Sequence, residues 1–427
     1  MKRLFWIFPL IAVLLAGGAC GKDPIPPVVE DVVEEEEEDP TIVLDRATPL
    51  SLSAAQVAYV REANLFSGRM LLQMEQNLNT DSWFCSPMSV SFALTMLLNG
   101  TRGEAAGELS SALGYGADFD PVPVNDYCRQ YIQRAPSWDP AVTLSFANAL
   151  FANRSYPVKD TYKAALRQNF FAMVSNRDFS KEKETVDYIN GWSNDKTQGM
   201  IPKLLDSVSP DDQLYLINVV YFKGGWKEPF EEFGTKKTEF TRTNGKMKYV
   251  QMMHHQFSTR FAETPMGIGT ELEYGDSCAF AMQFFLPQRD KVRQAAEYIA
   301  VNGWSALFAG ATQEVVDVKI PRFEVQSTFD LKRTILPAMG IKKVFDAPDF
   351  SLISDYAVGV SSVLHKAAVS VHEKGAEAAA ATTEMLATDP FPPEMPVIKD
   401  FHADHPFFFA IVEKQSGAVL FIGKYGG

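Results

Sequence analysis

Cysteine is scarce in this sequence, and the spacing of the four cysteines excludes several kinds of site. No CxxC pair occurs, so neither a dithiol redox motif nor a cysteine-rich zinc site is predicted. Apolar neighbours flank two of the cysteines, which favours buried free thiols. The sequence does not decide whether any two of Cys85, Cys128 and Cys278 pair.

Histidine is also sparse. The six histidines form no HExxH motif, and His254 beside His255 alone makes a poor zinc site. We therefore expect no metal and no cofactor.

Positively charged residues are outnumbered: the sequence has 40 Lys and Arg against 53 Asp and Glu, which gives a net charge of −13. A nucleic-acid-binding protein needs a basic face to neutralise phosphates, so this class is not expected.

The signatures of common enzyme classes are missing as well. There is no G-x-S-x-G motif, no P-loop and no dinucleotide fingerprint. Ser180 to Lys183 fits S-x-x-K, and Lys196 to Gly199 loosely resembles the K-T-G element of penicillin-recognising enzymes, but their S-D-N element is missing. We therefore do not expect an enzyme.

No hydrophobic run is long enough to span a membrane. Lys2 and Arg3 precede twelve mostly apolar residues, Leu4 to Leu15, which is typical of a signal peptide over residues 1–19. Cys20 follows small residues, as in a bacterial lipoprotein cleavage box. We expect a lipid on Cys20, with ordinary secretion as the alternative.

This N-terminal pattern predicts an exported protein. It would be a membrane-anchored lipoprotein at the bacterial cell envelope or surface, on a membrane face the sequence does not specify, or it would be secreted. Residues 20–45 contain Pro24, Pro26 and Pro27 and the acidic run Glu34 to Asp39, which predicts a disordered, self-repelling tether.

The remaining residues, 46–427, mix helical and strand patterns without a repeat or a β-α-β alternation, which predicts one α+β domain. With 46% hydrophobic residues, the sequence is able to form a large buried core. Helices are predicted over Ser53–Asn77, from Pro87 to Leu98 and over Gln288–Phe308. A strand is predicted over Val315–Phe323.

A segment rich in alanine and other small residues, Glu373 to Asp389, lies between strand patterns near the C-terminus. At period two, Ala376, Ala378, Ala380 and Thr382 would share one small face. An exposed helix or loop is one interpretation. The other is a loop that can become a strand, because its small face can slide between existing strands.

The segment Glu373 to Thr382 resembles the hinge of an inhibitory serpin, and Phe401 to Ile411 and Leu420 to Lys424 resemble the family's C-terminal signature and closing strand. The resemblance covers residues 46–427. It implies a monomeric serpin-like domain with a large mixed β-sheet, further sheets, about nine helices and an exposed reactive-centre loop over 373–400.

The resemblance also implies roles for individual residues. The shutter and breach, where the central strands part, would comprise Ser86, Ser89, Asn218, Trp226, Arg322 and His365. The hinge would comprise Glu373, Gly375, Ala376, Ala378, Ala379, Ala380, Ala381 and Thr382. Gly375 would be the pivot, and Glu373 would pair with Arg322.

The implied function is suicide inhibition of serine endopeptidases of the elastase, subtilisin or chymotrypsin type, with papain-like cysteine proteases as a second class. The alternative is a non-inhibitory serpin that acts as a binding or chaperone-like module. The preferred reactive bond is Thr388–Asp389, with Met385 and Leu386 as alternatives. Glu384 departs from the pattern, because it falls on the face that insertion would bury.

Overall fold

The computed structural model describes residues 39–42, 44, 52–116, 119–346, 348–376 and 397–427. Nine α-helices lie in these ranges, in agreement with the predicted number. They are α1 (Ala54–Asn77), α2 (Pro87–Asn99), α3 (Gly103–Leu113), α4 (Pro121–Arg134), α5 (Asp160–Phe170), α6 (Glu182–Lys196), α7 (Val292–Asn302), α8 (Ile335–Ala338) and α9 (Lys343–Asp346).

Strands from all parts of the domain alternate with these helices. They are β1 (Trp83–Cys85), β2 (Val142–Asn153), β3 (Met173–Arg177), β4 (Leu214–Gly225), β5 (Lys236–Thr241), β6 (Met247–Thr264), β7 (Gly267–Tyr274), β8 (Phe280–Pro287), β9 (Thr312–Pro321), β10 (Phe323–Asp330), β11 (Val360–His372), β12 (Gly375–Ala376), β13 (Ile398–His402), β14 (Phe407–Glu413) and β15 (Val419–Tyr425).

A six-stranded mixed sheet has the order β10-β11-β12-β4-β2-β3. The pairs β2–β3 and β4–β11 are parallel and the others antiparallel. Both faces of this sheet are buried at its central strand β4. In β4, the alternating residues Leu214, Leu216 and Val220 join the main core, while Tyr215, Ile217 and Val219 join a second core with Ile189 and Trp192 of α6. Burial on both faces explains the near-continuous apolar run of β4.

A nine-stranded sheet has the order β1-β15-β14-β8-β7-β6-β9-β13, with β5 paired to β6. The 18-residue strand β6 pairs first with β5, then with β9 and finally with β7. Helix α2 is buried over Pro87–Leu98 and contacts both β4 and β15, so it lies between the two sheets.

The α+β class was predicted correctly, but several element bounds differ from the prediction. The predicted helix Gln288–Phe308 is α7 followed by a 3₁₀ turn at Trp304–Phe308, separated by Gly303 with φ of +80°. The predicted strand Val315–Phe323 is two strands, because the chain leaves one sheet after Pro321 and enters the other at Phe323. Residues 398–400, at the end of the predicted reactive-centre loop, belong to β13.

Three cysteines lie in the described ranges, and all three are free. Cys85 is buried, as its apolar neighbours predicted, and so is Cys128. The same signal was wrong for Cys278, which has apolar neighbours on its C-terminal side but is half-buried. Over the same ranges, no helix combines the length and the apolar character that a membrane span requires.

Candidate functional site

The candidate site begins where β11 ends and the chain enters the segment of small residues that starts at Glu373. Gly375 and Ala376 form the two-residue strand β12, which pairs with Val371 and His372 of β11 on one side. On the other side it pairs with Gly224 and Gly225 of β4. The start of the segment therefore already lies as a strand between β11 and β4, and Ala376 is only 2% exposed.

Below β12, strands β4 and β11 pair directly with each other. This parallel ladder runs from Leu214 and Val360 up to its last pair, Val219 and Lys366. The two strands thus pair directly at one end and are separated by β12 at the other. A strand that continued β12 would have to separate the ladder pair by pair.

The carboxylate of Glu373 anchors the chain just before β12. Arg322 Nη2 lies 2.5 Å from Glu373 Oε1, and Thr235 Oγ1 donates to the same oxygen at 2.6 Å. Burial of the carboxyl raises its pKa, but the hydrogen bonds from Arg322 and Thr235 outweigh that effect and hold the pKa of Glu373 below its usual range. The structure thus places the predicted pair in contact.

Trp226 holds the turn from both sides. Its backbone N–H donates to Lys374 O at 2.9 Å, and its indole N–H donates to His372 O at the same distance. The indole also stacks on Tyr274, with 4.4 Å between ring centroids. Trp226 is therefore both a buried aromatic and a direct anchor of the β11–β12 turn.

Gly375 occupies a position that only glycine suits. Its φ of +139° is rarely adopted by other residues, and a Cβ there would lie 2.2 Å from Gly224 O. The close approach of the two backbones lets β12 pair with β4.

A second group of predicted residues meets in the interior, at the upper end of the β4–β11 ladder. Ser86 Oγ donates to Leu420 O at 2.7 Å, and the Ser86 N–H donates to His365 Nε2 at 3.0 Å. Ser89 Oγ bonds to Asn218 Oδ1, and His365 and Asn218 face each other in the ladder. We call this group, extended by one further member, the shutter cluster: Ser86, Ser89, Asn148, Asn218 and His365.

The shutter cluster ties α2 to the two strands that would have to separate. All of its side chains are at most 2% exposed, so each polar group needs a partner inside the protein. Burial lowers the pKa of His365 from 6.5 to about 4, against a smaller opposing effect of the Asn218 backbone. The imidazole is therefore neutral at pH 7, as its acceptance of the Ser86 N–H requires.

The predicted site residues thus form two groups, one at the middle of β11 and one at its C-terminal end. The shutter cluster surrounds His365, and the second group, which we call the hinge anchor, consists of Glu373, Gly375, Trp226, Arg322 and Ala376. Other predicted residues lie outside the described residues: Cys20, Ala378, Ala379, Ala380, Ala381, Thr382, Met385, Leu386, Thr388 and Asp389.

Sequence reasoning missed one member of the shutter cluster and one partner of the hinge anchor. Asn148 accepts from Asn218 Nδ2 at 2.7 Å and donates to Phe170 O at 3.0 Å. An asparagine inside the apolar strand pattern of β2 was a usable signal, because a buried amide must be paired. Thr235, the second partner of Glu373, had no such signal.

A mixed sheet whose strands β4 and β11 are separated at one end by β12, a glycine at the start of the loop and a buried polar cluster beneath it define a class of protein. The model of the family "Serpin (serine protease inhibitor)" matches residues 61–426. Iripin-2 of the tick Ixodes ricinus is 31% identical over 380 residues, which cover 87% of this chain and 94% of Iripin-2.

Two microbial serpins are similar as well. An uncharacterized serpin-like protein of Thermococcus kodakarensis is 31% identical over 349 residues, with 81% of this chain and 80% of that protein covered. The native-state crystal structure of the thermophilic serpin tengpin superimposes with a TM-score of 0.78 at 25% identity, covering 90% of this chain and 97% of tengpin. The chain belongs to the serpin family, whose members are mostly protease inhibitors rather than enzymes.

Proposed function

We propose that this protein is a suicide inhibitor of serine endopeptidases, which traps its target by inserting its own loop as a strand. The observation that carries the proposal is β12. Two residues of the loop already pair with β11 and β4, directly above a ladder that further insertion would replace. Each residue pair of the parallel ladder would be exchanged for pairs in two antiparallel ladders, which are slightly more stable per residue.

The residues that follow β12 support the same proposal. Ala376 points into the main core, and Ala378 and Ala380 follow it at period two. Side chains this small need little displacement of the core beneath β4 and β11. Thr382 continues the row, and Glu384 is where insertion would begin to cost a buried charge.

The chemical step belongs to the target protease. Its serine hydroxyl attacks the carbonyl carbon of Thr388, the general base takes the hydroxyl proton, and the C–N bond to Asp389 breaks. The proton passes to the departing amine, which becomes the N-terminus of the fragment 389–427. Residue 388 remains an ester of the protease serine, and insertion then distorts that site before water can hydrolyse the ester.

The loop residues indicate the class of target. Thr388 suits an elastase-like enzyme with a small specificity pocket, whereas cleavage after Met385 or Leu386 would suit chymotrypsin- or subtilisin-like enzymes. A papain-like cysteine protease would form the corresponding thioester.

The test is to mix the purified protein with elastase, chymotrypsin, subtilisin, trypsin and papain. We expect a complex that resists denaturant on a gel for at least one serine protease, with release of a peptide that begins at residue 389. Mass spectrometry of that peptide identifies the bond. Cleavage without any complex would favour the alternative of a binding or chaperone-like module.

A pair of variants separates insertion from cleavage. Ala380→Arg places a charge on the face that insertion buries, and an unpaired buried charge costs several kcal/mol. We expect the yield of trapped complex to fall by at least about tenfold while cleavage continues, since about 1.4 kcal/mol already changes a rate tenfold. Ala380→Ser, which keeps a small uncharged side chain at the same position, is the matched control. Equal trapping by both variants would contradict the insertion mechanism.

We also propose that the mature protein is an exported monomer attached to a membrane by lipid on Cys20. The signal-peptide pattern and the position of Cys20 support this. Cells labelled with radioactive palmitate should incorporate label into the wild type and none into Cys20→Ser. Equal labelling would contradict lipidation at this cysteine.

A further inference from the structure

The strand that follows the loop, β13, carries a group of metal-binding side chains that the proposed function does not use. It pairs in parallel with β9, so Asp400 faces Asp317 and His402 faces Lys319. On the other side of β9, β6 places His254 opposite the same Lys319. Because side chains alternate along a strand, these residues share one face of three adjacent strands. We call them the three-strand cluster: His254, Asp317, Asp400 and His402.

The carboxylate of Asp317 lies at the centre of the cluster. Its Oδ1 is 2.7 Å from His254 Nε2, and its Oδ2 is 2.8 Å from His402 Nε2. A carboxylate oxygen of Asp400 lies 3.6 Å from His402 Nε2. Donor atoms of Asp317, Asp400 and His402 all lie within 4.8 Å of one another.

The central aspartate of the cluster is more buried than its two histidines. The Asp317 side chain is 13% exposed, while the imidazoles of His254 and His402 are 42% and 39% exposed. Burial would raise the pKa of Asp317, but the hydrogen bonds from the two histidines and from Lys319 hold it well below its usual range. The nearly buried carboxylate of Asp317 thus lies between two half-exposed imidazoles.

We propose that the three-strand cluster is a binding site for a divalent transition-metal ion, with Zn²⁺ as the expected occupant. Two imidazoles with two carboxylates supply the nitrogen and oxygen donors that four-coordinate Zn²⁺ accepts. Exposed acidic groups alone would not single out such an ion. The paired imidazoles on either side of one carboxylate do.

Side-chain movements are needed to admit the ion. The donor atoms of Asp317, Asp400 and His402 already lie within 4.8 Å of one another, whereas His254 lies outside that group and its ring must turn toward the ion. Donors about 2.0–2.1 Å from a tetrahedral Zn²⁺ stand about 3.3 Å apart. The two histidine–aspartate hydrogen bonds at 2.7 and 2.8 Å must therefore open by about half an ångström each. Both imidazoles lie at the surface, so their rings can turn outward without disturbing the core.

Lys319 competes with the metal. Its ammonium group lies 3.3 Å from Asp317 Oδ2, on the same face as the cluster. The side chain is 36% exposed and can move into solvent, but its positive charge weakens cation binding. The apo arrangement is thus a carboxylate held by three donors, and the metal must replace all three interactions.

The position of the cluster gives the metal a structural consequence. β13 lies at one end of its sheet and is the first described element after the loop. A metal shared by β13, β9 and β6 would fasten the far end of the loop. Metal binding does not depend on the proposed function, whereas any effect of this fastening on inhibition does.

The experiment uses the full-length protein, freed of metal with a chelator and titrated with Zn²⁺ by calorimetry and with Co²⁺ by visible absorption. We expect one ion per chain and, with Co²⁺, the intense bands of a four-coordinate ion. His254→Ala and His402→Ala should each weaken binding by at least about tenfold, since even loss of a partner outside the ligand set costs 10- to 100-fold.

The chain offers a matched control and a gain-of-affinity variant. His255→Ala removes a neighbouring histidine on the opposite face of β6, near Glu228, and should leave binding unchanged. Lys319→Met should strengthen binding. Melting curves without metal show whether each variant is folded.

Two results would overturn the proposal. One is a dissociation constant for Zn²⁺ above about 1 mM in the wild type. The other is stoichiometric binding that the His254→Ala and His402→Ala variants retain, which would place the ion elsewhere. Hydrogen exchange of β13 gives an independent readout, since Zn²⁺ should slow it in the wild type but not in folded His402→Ala.

Discussion

At the scale of single residues, Glu373 anchors the chain just before the loop. Its carboxylate is almost fully buried and binds both Arg322 and Thr235, while Arg322 itself is half-exposed. Removing a partner from such a carboxylate leaves a buried charge underpaired, which costs more than breaking a surface ion pair. The anchor lies directly before the glycine at which the loop enters the sheet.

Arg322→Met should lower the stability of the native protein by about 1–2 kcal/mol, because Glu373 loses a charged donor. Thermal unfolding measures the change. Arg293→Met is the control, since its pair with Glu297 on α7 is exposed on both sides and should contribute little. In the double variant with Glu373→Gln, the loss should be smaller than the sum of the single losses. Full additivity would mean that the pair does not interact.

His365 should make the native protein sensitive to mild acid. Its pKa of about 4 lies below the ordinary value of 6.5, so the unfolded chain binds a proton more readily than the native chain. The contribution of His365 is complete above pH 6.5 and is lost as the pH falls from 6.5 to about 4. By linkage it is of the order of 3 kcal/mol.

The measurement is the melting temperature of the wild type and of His365→Gln between pH 7.5 and 4. The wild type should lose more stability over this interval than the variant, which cannot take up the proton. Parallel curves would show that other groups control the acid response.

At the scale of elements, β12 matters most, because two residues decide where a new strand would start. Its pairing with β4 requires the close approach at Gly375 and its φ of +139°. The anchors Trp226 and Glu373 then hold the turn in place. Its pairing with β11 and β4 fixes the register of any strand that would extend it.

Gly375→Ala should destabilise the hinge by about 1–3 kcal/mol, because the added Cβ meets the Gly224 backbone in a conformation that alanine avoids. Gly191→Ala is the opposite control. Gly191 lies in α6 with open space around it, so alanine there should raise stability by about 0.5–1 kcal/mol. Thermal unfolding compares the two, and equal effects would show that β12 is not strained by a side chain.

At the scale of the molecule, the six-stranded sheet has a seam. β4 and β11 pair directly below and are separated by β12 above, with the shutter cluster at the junction. Filling that seam with a full strand would add two antiparallel ladders and lose one short parallel ladder. If the proposed function is right, the sheet with the intact loop would therefore have a more stable arrangement within reach.

Cleavage in the loop should raise the melting temperature by at least several degrees, because the cut releases the strand from its connection to β13. Limited proteolysis followed by thermal unfolding tests this. The uncut protein incubated under the same conditions is the control. A nicked protein that melts at or below the temperature of the intact one would show that the seam does not accept the loop.

The local sequence determined much of the architecture. Helices α1 and α2 begin close to where they were predicted. Ser53 and Ser86 cap them, since a serine before an apolar-periodic run satisfies the free N–H groups of a first turn. The sequences of β2, β4, β11, β14 and β15 likewise show alternation or near-continuous apolar runs. The motifs also grouped the hinge and shutter residues, because their spacing resembles that of one family.

Only the tertiary structure decided the contacts between distant segments. The sequence gives no signal that Thr235 binds Glu373. Asn148 stands out in the sequence only as an amide that needs a partner, and the structure identifies that partner as Asn218. His254 alone makes a poor metal site. Strand register places Asp317 and His402, 63 and 148 residues further along the chain, on the same face beside it. Local pattern is set by neighbours in sequence, whereas register depends on how whole sheets assemble.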